Sequence, residues 1–223
     1  MRERSSRNFS YSVDVISVTA MGNELAVLFA RNSTERERWS LPWKLPQTGE
    51  MLGAAAARVA EDALGEPPAW MEQIGAFGDG KRHPSDADVS VAFVGLVPHE
   101  TATPRAGYTW FPIRDLPPLS PRQRGMVESA KRTIEERLDQ APIAFRLLPA
   151  TFTLSELQQM YELLLGKRLH KASFRRALQA AWLVESIEEW RSEGRGRPAQ
   201  LFRYAPKKRR KPLRGVRFDF LYP

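Results

Sequence analysis

Three of the four acidic side chains within residues 49–66, GEMLGAAAARVAEDALGE, are the first candidates for chemistry: Glu50, Glu61 and Asp62. A hard divalent cation needs several carboxylate oxygens converging on one point, and acidic residues one helical turn apart can provide them. The alanine-rich run predicts such a helix, and Gly65 is typical of its end. Glu61 and Asp62 are adjacent, however, and neighbouring side chains on a helix point about 100° apart. The segment therefore has carboxylates without the spacing of a metal cage.

A basic segment is the second candidate. Residues 167–217 contain 16 lysines and arginines and four acidic residues, so they carry a charge of +12 in a chain whose net charge is +8. The remaining residues therefore sum to −4. A mildly acidic body with a strongly basic C-terminal part is the electrostatic pattern of a polyanion-binding protein. A basic surface that binds no particular partner is the alternative.

The composition limits the class of protein. The 223 residues are 42% hydrophobic and 27% charged, which suits one large or two small globular domains. The absence of cysteine excludes disulfides and thiolate chemistry and fits a reducing cytoplasm. We expect a bacterial cytoplasmic, nucleoid-associated location. The three histidines are scattered, so we expect no histidine metal site. No apolar run approaches the roughly 20 residues of a membrane span, and we expect no membrane partner.

The elements that must position these groups differ between the two halves. Residues 12–19 and 24–31 are rich in β-branched residues and predict a hairpin. Further strands are predicted at residues 70–78, 88–97 and 107–113. The first half is therefore predicted to be strands around one helix.

After residue 118 the pattern becomes mainly helical. Ser120 is a good N-cap and Pro121 suits the first position of a helix that connects the halves. Residues 153–166 and 171–185 predict two more helices, and two strand-like arms around a Gly/Arg-rich tip follow. In the last helix Phe174, Leu178 and Trp182, at i, i+4 and i+8, are predicted to face the core. This order is that of a winged helix–turn–helix.

The first half resembles the Nudix hydrolases, whose signature is G-x5-E-x7-R-E-U-x-E-E-x-G-U with U aliphatic. Glu50, Arg58 and Gly65 match it in spacing, and WSLPWKLP lies upstream as the family's WALPGGFV-type segment does. The departures fall on the signature glycine and on the glutamates that hold metal in this family: Lys44, Val59, Asp62 and Ala63. The resemblance therefore implies a Nudix fold without a catalytic residue, metal ion or cofactor. In such a site Lys44 could hold a diphosphate that metals neutralise in the enzymes.

Three further segments resemble the NrtR-type Nudix-related transcriptional regulators. They are EQIGAFGDGKRHP at 72–84 with the strand that follows, LLPATFTLSELQQMYELLLGKRLHKASFRRAL at 147–178, and GRGRPAQLFRY at 194–204. The resemblance implies an α+β protein in which an N-terminal Nudix-like α/β/α sandwich with a mixed sheet precedes a C-terminal winged helix–turn–helix. The expected segments are a sensing domain, a connecting helix, a DNA-binding domain and a basic tail, at residues 1–118, 119–142, 143–206 and 207–223.

The resemblance also implies a nucleotide-like effector, of which ADP-ribose is the best known, and target genes of NAD metabolism. His83 and Ser85 stand where the family has Asp and Arg, so a different phosphorylated or sugar-like ligand stays open. The candidate effector-binding residues are Arg31, Lys44, Glu50, Arg58, Phe77 and Arg82.

The expected macromolecular partner is double-stranded DNA, bound at a pseudo-palindromic operator by a homodimer. Arginine can pair with guanine and glutamine with adenine, whereas lysine and serine at a helix N-terminus suit phosphates. The candidate DNA-binding residues are Lys171, Ser173, Arg175, Arg176, Gln179, Arg195, Arg197, Lys207 and Lys208. We expect either Arg175 or Arg176 to pair instead with Glu156 or Glu162.

Two other functions stay open at this point. The first is an active Nudix hydrolase with a divergent metal site made of Glu50, Glu61 and Asp62, which would act on a nucleotide or RNA. The second is a winged helix used for contacts with other proteins.

Overall fold

A computed structural model describes residues 9–32, 39–78, 83–192 and 198–206 of the protein. Within these ranges the first half forms a sheet with one α-helix. Its elements are β1 (Tyr11–Met21), β2 (Glu24–Arg31), β3 (Trp39–Ser40), β4 (Trp43–Lys44), α1 (Leu52–Leu64), β5 (Trp70–Phe77), β6 (Val89–Leu96) and β7 (Tyr108–Pro112).

The second half is helical with a small sheet. Its elements are α2 (Pro121–Gln140), a 3-10 turn (Ile143–Leu147), β8 (Thr151–Thr153), α3 (Leu154–Leu165), α4 (Lys171–Ala181), β9 (Val184–Arg191) and β10 (Ala199–Tyr204). None of the described helices combines the length and apolar character needed to cross a membrane.

The large sheet is mixed. Its strands lie in the order β3-β2-β1-β6-β5, with β4 paired to β1 and β7 paired to β2. β1 and β6 are parallel, with Tyr11 opposite Val89 and Val18 opposite Leu96. β1–β2 is the predicted antiparallel hairpin, and β5 pairs antiparallel with β6. The mixed sheet confirms the predicted fold of this half.

Alternate side chains of β1 point to opposite faces of the sheet, and each face is covered by one helix. Val13 and Val15 pack with the alanines of α1, whereas Ile16 and Val18 belong to the core that includes α2. This arrangement is the α/β/α sandwich that the family resemblance implies. α1 ends, as expected, at Gly65, whose φ of 94° is costly for any residue with a side chain.

The winged helix begins with a capping box. The Thr153 hydroxyl accepts a hydrogen bond from the backbone of Glu156, and the Glu156 carboxylate accepts one from the backbone of Thr153. α3 ends at Gly166, and β10 lies between β8 and β9 in an antiparallel sheet. Thr153 and Gly166 thus bound this helix, in agreement with the predicted range 153–166.

One prediction for this half is wrong. α4 ends at Ala181, not at residue 185, because Trp182 adopts a left-handed conformation with φ 54°. The i+8 relation to Phe174 ends with the helix, so Trp182 is 47% exposed and does not face the core. Phe174 and Leu178 are buried as predicted.

The two halves share one apolar core. α2 contributes Met126, Val127 and Ile134 to the same buried cluster that holds sheet residue Val27 and α3 residue Tyr161. The cluster continues without interruption to Phe174 of α4. α2 therefore packs on the sheet and on the winged helix at once.

Candidate effector site and nucleic-acid interface

Glu50 and Arg58 form a two-point ion pair beside the start of α1. Arg58 donates from Nε to Oε1 of Glu50 over 2.8 Å and from Nη2 to Oε2 over 2.7 Å. The backbone N–H of Gln47 also donates to Oε2, over 2.7 Å. The hydrogen bonds from Arg58 and Gln47 lower the pKa of Glu50 to about 2, and Glu50 in turn raises the pKa of Arg58. Glu50 is therefore an ionised, fully engaged carboxylate.

Lys44 of β4 forms a second ion pair, with Asp62 of α1. The two side chains are 37% and 40% exposed, so this pair lies at the surface. A surface pair of this kind contributes little to stability and can exchange partners readily. Lys44 is thus the cation here that an incoming anion could most easily recruit.

The signature positions that would carry metal-binding glutamates face inwards. Val59 and Ala63 are buried against the sheet and its neighbouring loops. Glu61 is exposed, while Glu50 and Asp62 are each held by a cation. In the described ranges 9–32, 39–78, 83–192 and 198–206, no three His, Asp or Glu side chains converge as a metal site. Val59 and Ala63 thus supply no oxygen ligand at two positions where the Nudix signature has glutamates.

The other predicted effector-binding residues lie apart from these pairs. Arg31 is at the end of β2, where its N–H donates to the Gly107 carbonyl over 2.7 Å. Phe77 is at the end of β5 and packs on the α2 side, where a side chain at Gly125 would lie 3.9 Å from its ring. Arg82 is outside the described residues. The structure therefore brings together Lys44, Glu50 and Arg58 of the predicted set.

A buried chain of polar side chains, which the sequence analysis missed, lies on the α2 face of the sheet. The Ser12 hydroxyl donates to Oδ2 of Asp14 over 2.6 Å and lies 3.0 Å from the Ser90 hydroxyl. Arg122, in the first turn of α2, donates to Ser90 over 3.4 Å. At the other end, Nε2 of His83 lies 2.8 Å from Oδ1 of Asp14. We call these five residues the buried polar chain.

The hydrogen bonds of the buried polar chain run towards Asp14 from both of its ends. The backbone N–H of Ser85 points at Nδ1 of His83 over 3.2 Å, so Nδ1 accepts and Nε2 carries the proton donated to Asp14. Arg122 cannot accept, so it donates to Ser90, which donates to Ser12, which donates to Asp14. The only sequence signal was polar residues at inward positions of otherwise apolar strands.

The His83 end of this chain reaches the strand that carries Lys44. The Trp43 ring packs edge-on against the imidazole of His83, with centroids 5.1 Å apart. Trp43 and Lys44 are consecutive in β4, so their side chains leave opposite faces of the sheet. His83, which replaces the aspartate of related sequences, is therefore a packing and hydrogen-bonding residue here.

α4 presents a basic outer surface. Lys171, Arg175, Arg176 and Gln179 are exposed, and Ser173 is partly buried beside His170, with its hydroxyl 3.3 Å from Nδ1. The predicted DNA-binding residues Arg195, Arg197, Lys207 and Lys208 lie outside the described ranges. The remaining five are thus placed on one helix.

The acidic residues of α3 do not neutralise this surface. Glu156 accepts from Arg191 over 2.8 Å, and Glu162 accepts from Arg168 over 3.2 Å. The prediction that Arg175 or Arg176 pairs with either of them is wrong, because arginines outside α4 are their partners. Among the described residues, none of Lys171, Arg175 and Arg176 forms an ion pair.

Comparison with known proteins connects both halves to one group of regulators. Residues 144–204 match the model of the NrtR DNA-binding winged helix domain. A protein of Acinetobacter baylyi named "ADPR responsive transcriptional repressor NtrR" is 25% identical over 205 residues, covering 87% of this chain and 81% of its own.

Solved structures agree with this match. Shewanella oneidensis NrtR complexed with a 27mer DNA is 26% identical with a TM-score of 0.76, covering 88% of this chain and 94% of that one. A MutT/nudix family protein from Enterococcus faecalis, 16% identical with a TM-score of 0.71, covers 90% of this chain and 89% of its own and shares the fold. The chain thus has a Nudix-like domain followed by a winged helix.

Proposed function

We propose that this chain, which resembles the NrtR-type Nudix-related regulators in both halves, is a DNA-binding transcriptional repressor that responds to a nucleotide-like metabolite. The observation that carries the proposal is the unneutralised basic surface of α4 within a matched NrtR winged helix domain. ADP-ribose is the first effector to test, because the Acinetobacter baylyi relative is named for it. Genes of NAD metabolism are the first targets to examine.

The DNA-binding residues have distinct proposed roles. Arg175, Arg176 and Gln179 would read base edges in the major groove, because arginine and glutamine can each make two hydrogen bonds to one base. Lys171 and Ser173 lie in the first turn of α4, where cations, hydroxyls and backbone N–H groups suit phosphates. We assign Arg195, Arg197, Lys207 and Lys208 to further contacts with the DNA backbone.

The effector-binding residues act chiefly by charge in this proposal. Lys44 would leave Asp62 and bind a phosphate, while Arg58 stays aligned by Glu50. Arg31, Phe77 and Arg82 are proposed to contact the rest of the ligand. Sensing would thus occupy residues 1–118, linked by residues 119–142 to the DNA-binding residues 143–206 and the basic tail 207–223.

The proposed regulator is not a hydrolase. Hydrolysis by a Nudix site needs carboxylates that hold metal against a diphosphate, and Glu50 and Asp62 are committed to Arg58 and Lys44. Incubation of the protein with ADP-ribose and magnesium or manganese should release no AMP. Product release that disappears in Glu50→Gln would reject this part of the proposal.

The proposed regulator is also a homodimer. One winged helix contacts too few phosphates and bases for a specific site, and a two-fold axis would present two copies of α4 to an inverted repeat. Light scattering in solution gives the mass, and a monomer of 25.4 kDa at the concentration that binds DNA would contradict it.

Selection of genomic DNA tests the function directly. Sheared genomic fragments would be retained by the purified chain at moderate salt and sequenced, and ADP-ribose would then be added to the complex. Enrichment of one inverted repeat, with affinity changed by ADP-ribose, is the expected result. Retention of fragments without a common sequence would reject a sequence-specific regulator, and a repeat unaffected by ADP-ribose would reject only that effector.

A further inference from the structure

The buried polar chain has no part in the proposed contacts with effector or DNA. Ser12, Asp14 and Ser90 have no exposed surface, and His83 and Arg122 are 5% and 4% exposed. Burying polar groups is costly unless each finds a partner, and a satisfied buried network holds its members in one arrangement. Apolar side chains at these positions would fill the space without that cost, so the presence of the buried polar chain requires a further explanation.

The positions of its two ends suggest one. At one end, His83 packs against Trp43, the neighbour in sequence of Lys44. At the other end, Arg122 also donates to the carbonyls of Ala87 and Asp88, over 3.1 and 3.2 Å. The buried polar chain therefore joins β4, which carries Lys44, and the segment 83–90 to the first turn of α2.

α2 extends this connection to the winged helix. Its 20 residues span about 30 Å, and its C-terminal turn is tied to β5 where Nε of Arg137 donates to Glu72 over 2.7 Å. Val127, Ala130 and Ile134 of α2 line one small apolar cavity together with Leu164 of α3. A displacement of the first turn of α2 would therefore change the packing of α2 against α3, the helix that supports α4.

We propose that the buried polar chain is the element that couples the effector site to the DNA-binding half through α2, with Ser12 and Arg122 as positioning residues. This inference rests on the proposed function. Coupling between two sites is reciprocal in affinity, so an effector that changes the affinity for DNA must itself bind differently when DNA is present. If the buried polar chain carries this coupling, we expect segment 83–90 to differ between the free and the DNA-bound protein. The coupling can therefore be measured without knowing the effector.

β1 supplies a matched pair of variants. Ser12→Ala removes the hydroxyl that links Ser90 to Asp14. Ser17→Ala, five residues along the same strand, removes a hydroxyl that is equally buried but has no hydrogen-bond partner among the described atoms. The two substitutions remove the same buried atom from the same strand, but only Ser12, on the α2 face of the sheet, belongs to the buried polar chain, whereas Ser17 points to the α1 face.

Amide hydrogen exchange of residues 83–90 would be measured in the full chain with and without the DNA retained in the genomic selection. In the wild type and in Ser17→Ala, DNA should slow this exchange by about 5-fold or more, the lower end of ordinary coupling. In Ser12→Ala the slowing should fall below about 2-fold, while affinity for DNA stays within about 3-fold. Arg122→Lys, which keeps the charge but loses the guanidinium geometry, should give the same loss.

The outcomes separate the two proposals. A wild type that binds its DNA without a change in segment 83–90 would overturn the coupling and leave the regulator standing. Slowing that persists in both Ser12→Ala and Arg122→Lys would also overturn it, because the coupling would then run elsewhere. A wild type without a specific DNA site would overturn the proposed function and this inference with it.

Discussion

The cations around α1 and the cations on α4 are in opposite electrostatic states. Beside α1, Lys44 and Arg58 each meet a carboxylate of the same site. On α4, Arg175 and Arg176 are exposed, and no described carboxylate pairs with them. A paired cation binds an anion by sharing or exchanging its carboxylate partner, whereas an unpaired cation is ready to bind. The paired cations beside α1 suit a site that binds its effector reversibly as the effector concentration changes. The unpaired cations of α4 suit a constant attraction to the phosphates of DNA.

The largest expected effect is loss of DNA binding when the unpaired arginines are removed. Arg175→Ala and Arg176→Ala should each cost about 1–3 kcal/mol, or about 5- to 150-fold in affinity, because each removes a contact to a base. Fluorescence anisotropy with the selected operator measures this. Arg203→Ala is the control, since Arg203 of the same domain is paired with Glu185. Equal losses in all three would contradict the distinction between paired and unpaired cations.

The second effect concerns binding of the effector by the paired cations beside α1. Lys44→Ala should weaken binding of ADP-ribose by about 10-fold, through loss of a charge-assisted hydrogen bond to phosphate. Asp62→Asn should tighten it by up to about 5-fold, because Lys44 would be released from a surface ion pair. Calorimetric titration measures both. The opposite order, with Asp62→Asn weaker than wild type, would show that the carboxylate itself serves the ligand.

A smaller effect appears in the dependence of DNA affinity on salt. Lys171→Ala should lower the slope of log affinity against log salt by about 0.9, the contribution of one neutralised phosphate. Arg168→Ala is the comparison, because Arg168 is paired with Glu162 and should change the slope less. Titrations between low and moderate salt give the slopes. Identical slopes for Lys171→Ala and wild type would remove Lys171 from the phosphate contacts.

The smallest effect is on stability. The folded-state pKa of Glu50 is about 2, below its ordinary value of 4.5, so its ionised form stabilises the fold above about pH 4.5. That contribution is lost as the pH falls from 4.5 towards 2. Glu50→Gln should therefore unfold at lower urea than wild type at pH 7, and the difference should shrink towards pH 2. A difference in stability that does not change with pH would show that Glu50→Gln acts through packing and not through the charge of Glu50.

Local patterns predicted most of the elements. The alternation in β1 and β2, the alanines of α1 and the N-cap Ser120 act within a few residues, so they can be inferred from neighbours in the sequence. Each of these elements is present where the pattern indicates it. Their placement owes little to distant contacts.

Two of the misses depend on contacts between distant residues, and the third depends on the backbone of a single residue. The partner of Glu156 is Arg191, 35 residues away, and nothing near Glu156 in the sequence indicates that choice. The buried polar chain joins β1, β6, α2 and a loop, so its members are 69 and 78 residues apart in two of the links. The early end of α4 rests on one residue, Trp182, in a conformation that bulky side chains rarely adopt.

The uninterrupted apolar core from the sheet through α2 to α4 has a consequence for engineering and for denaturation. Residues 144–204 cannot be transplanted onto another sensor as a bare module, because the cut would expose the face of α3 that α2 covers. A working chimera would have to carry α2 along with its own sheet contacts. Calorimetry of the intact chain should accordingly record one cooperative transition, as expected when both halves melt as a single thermodynamic unit.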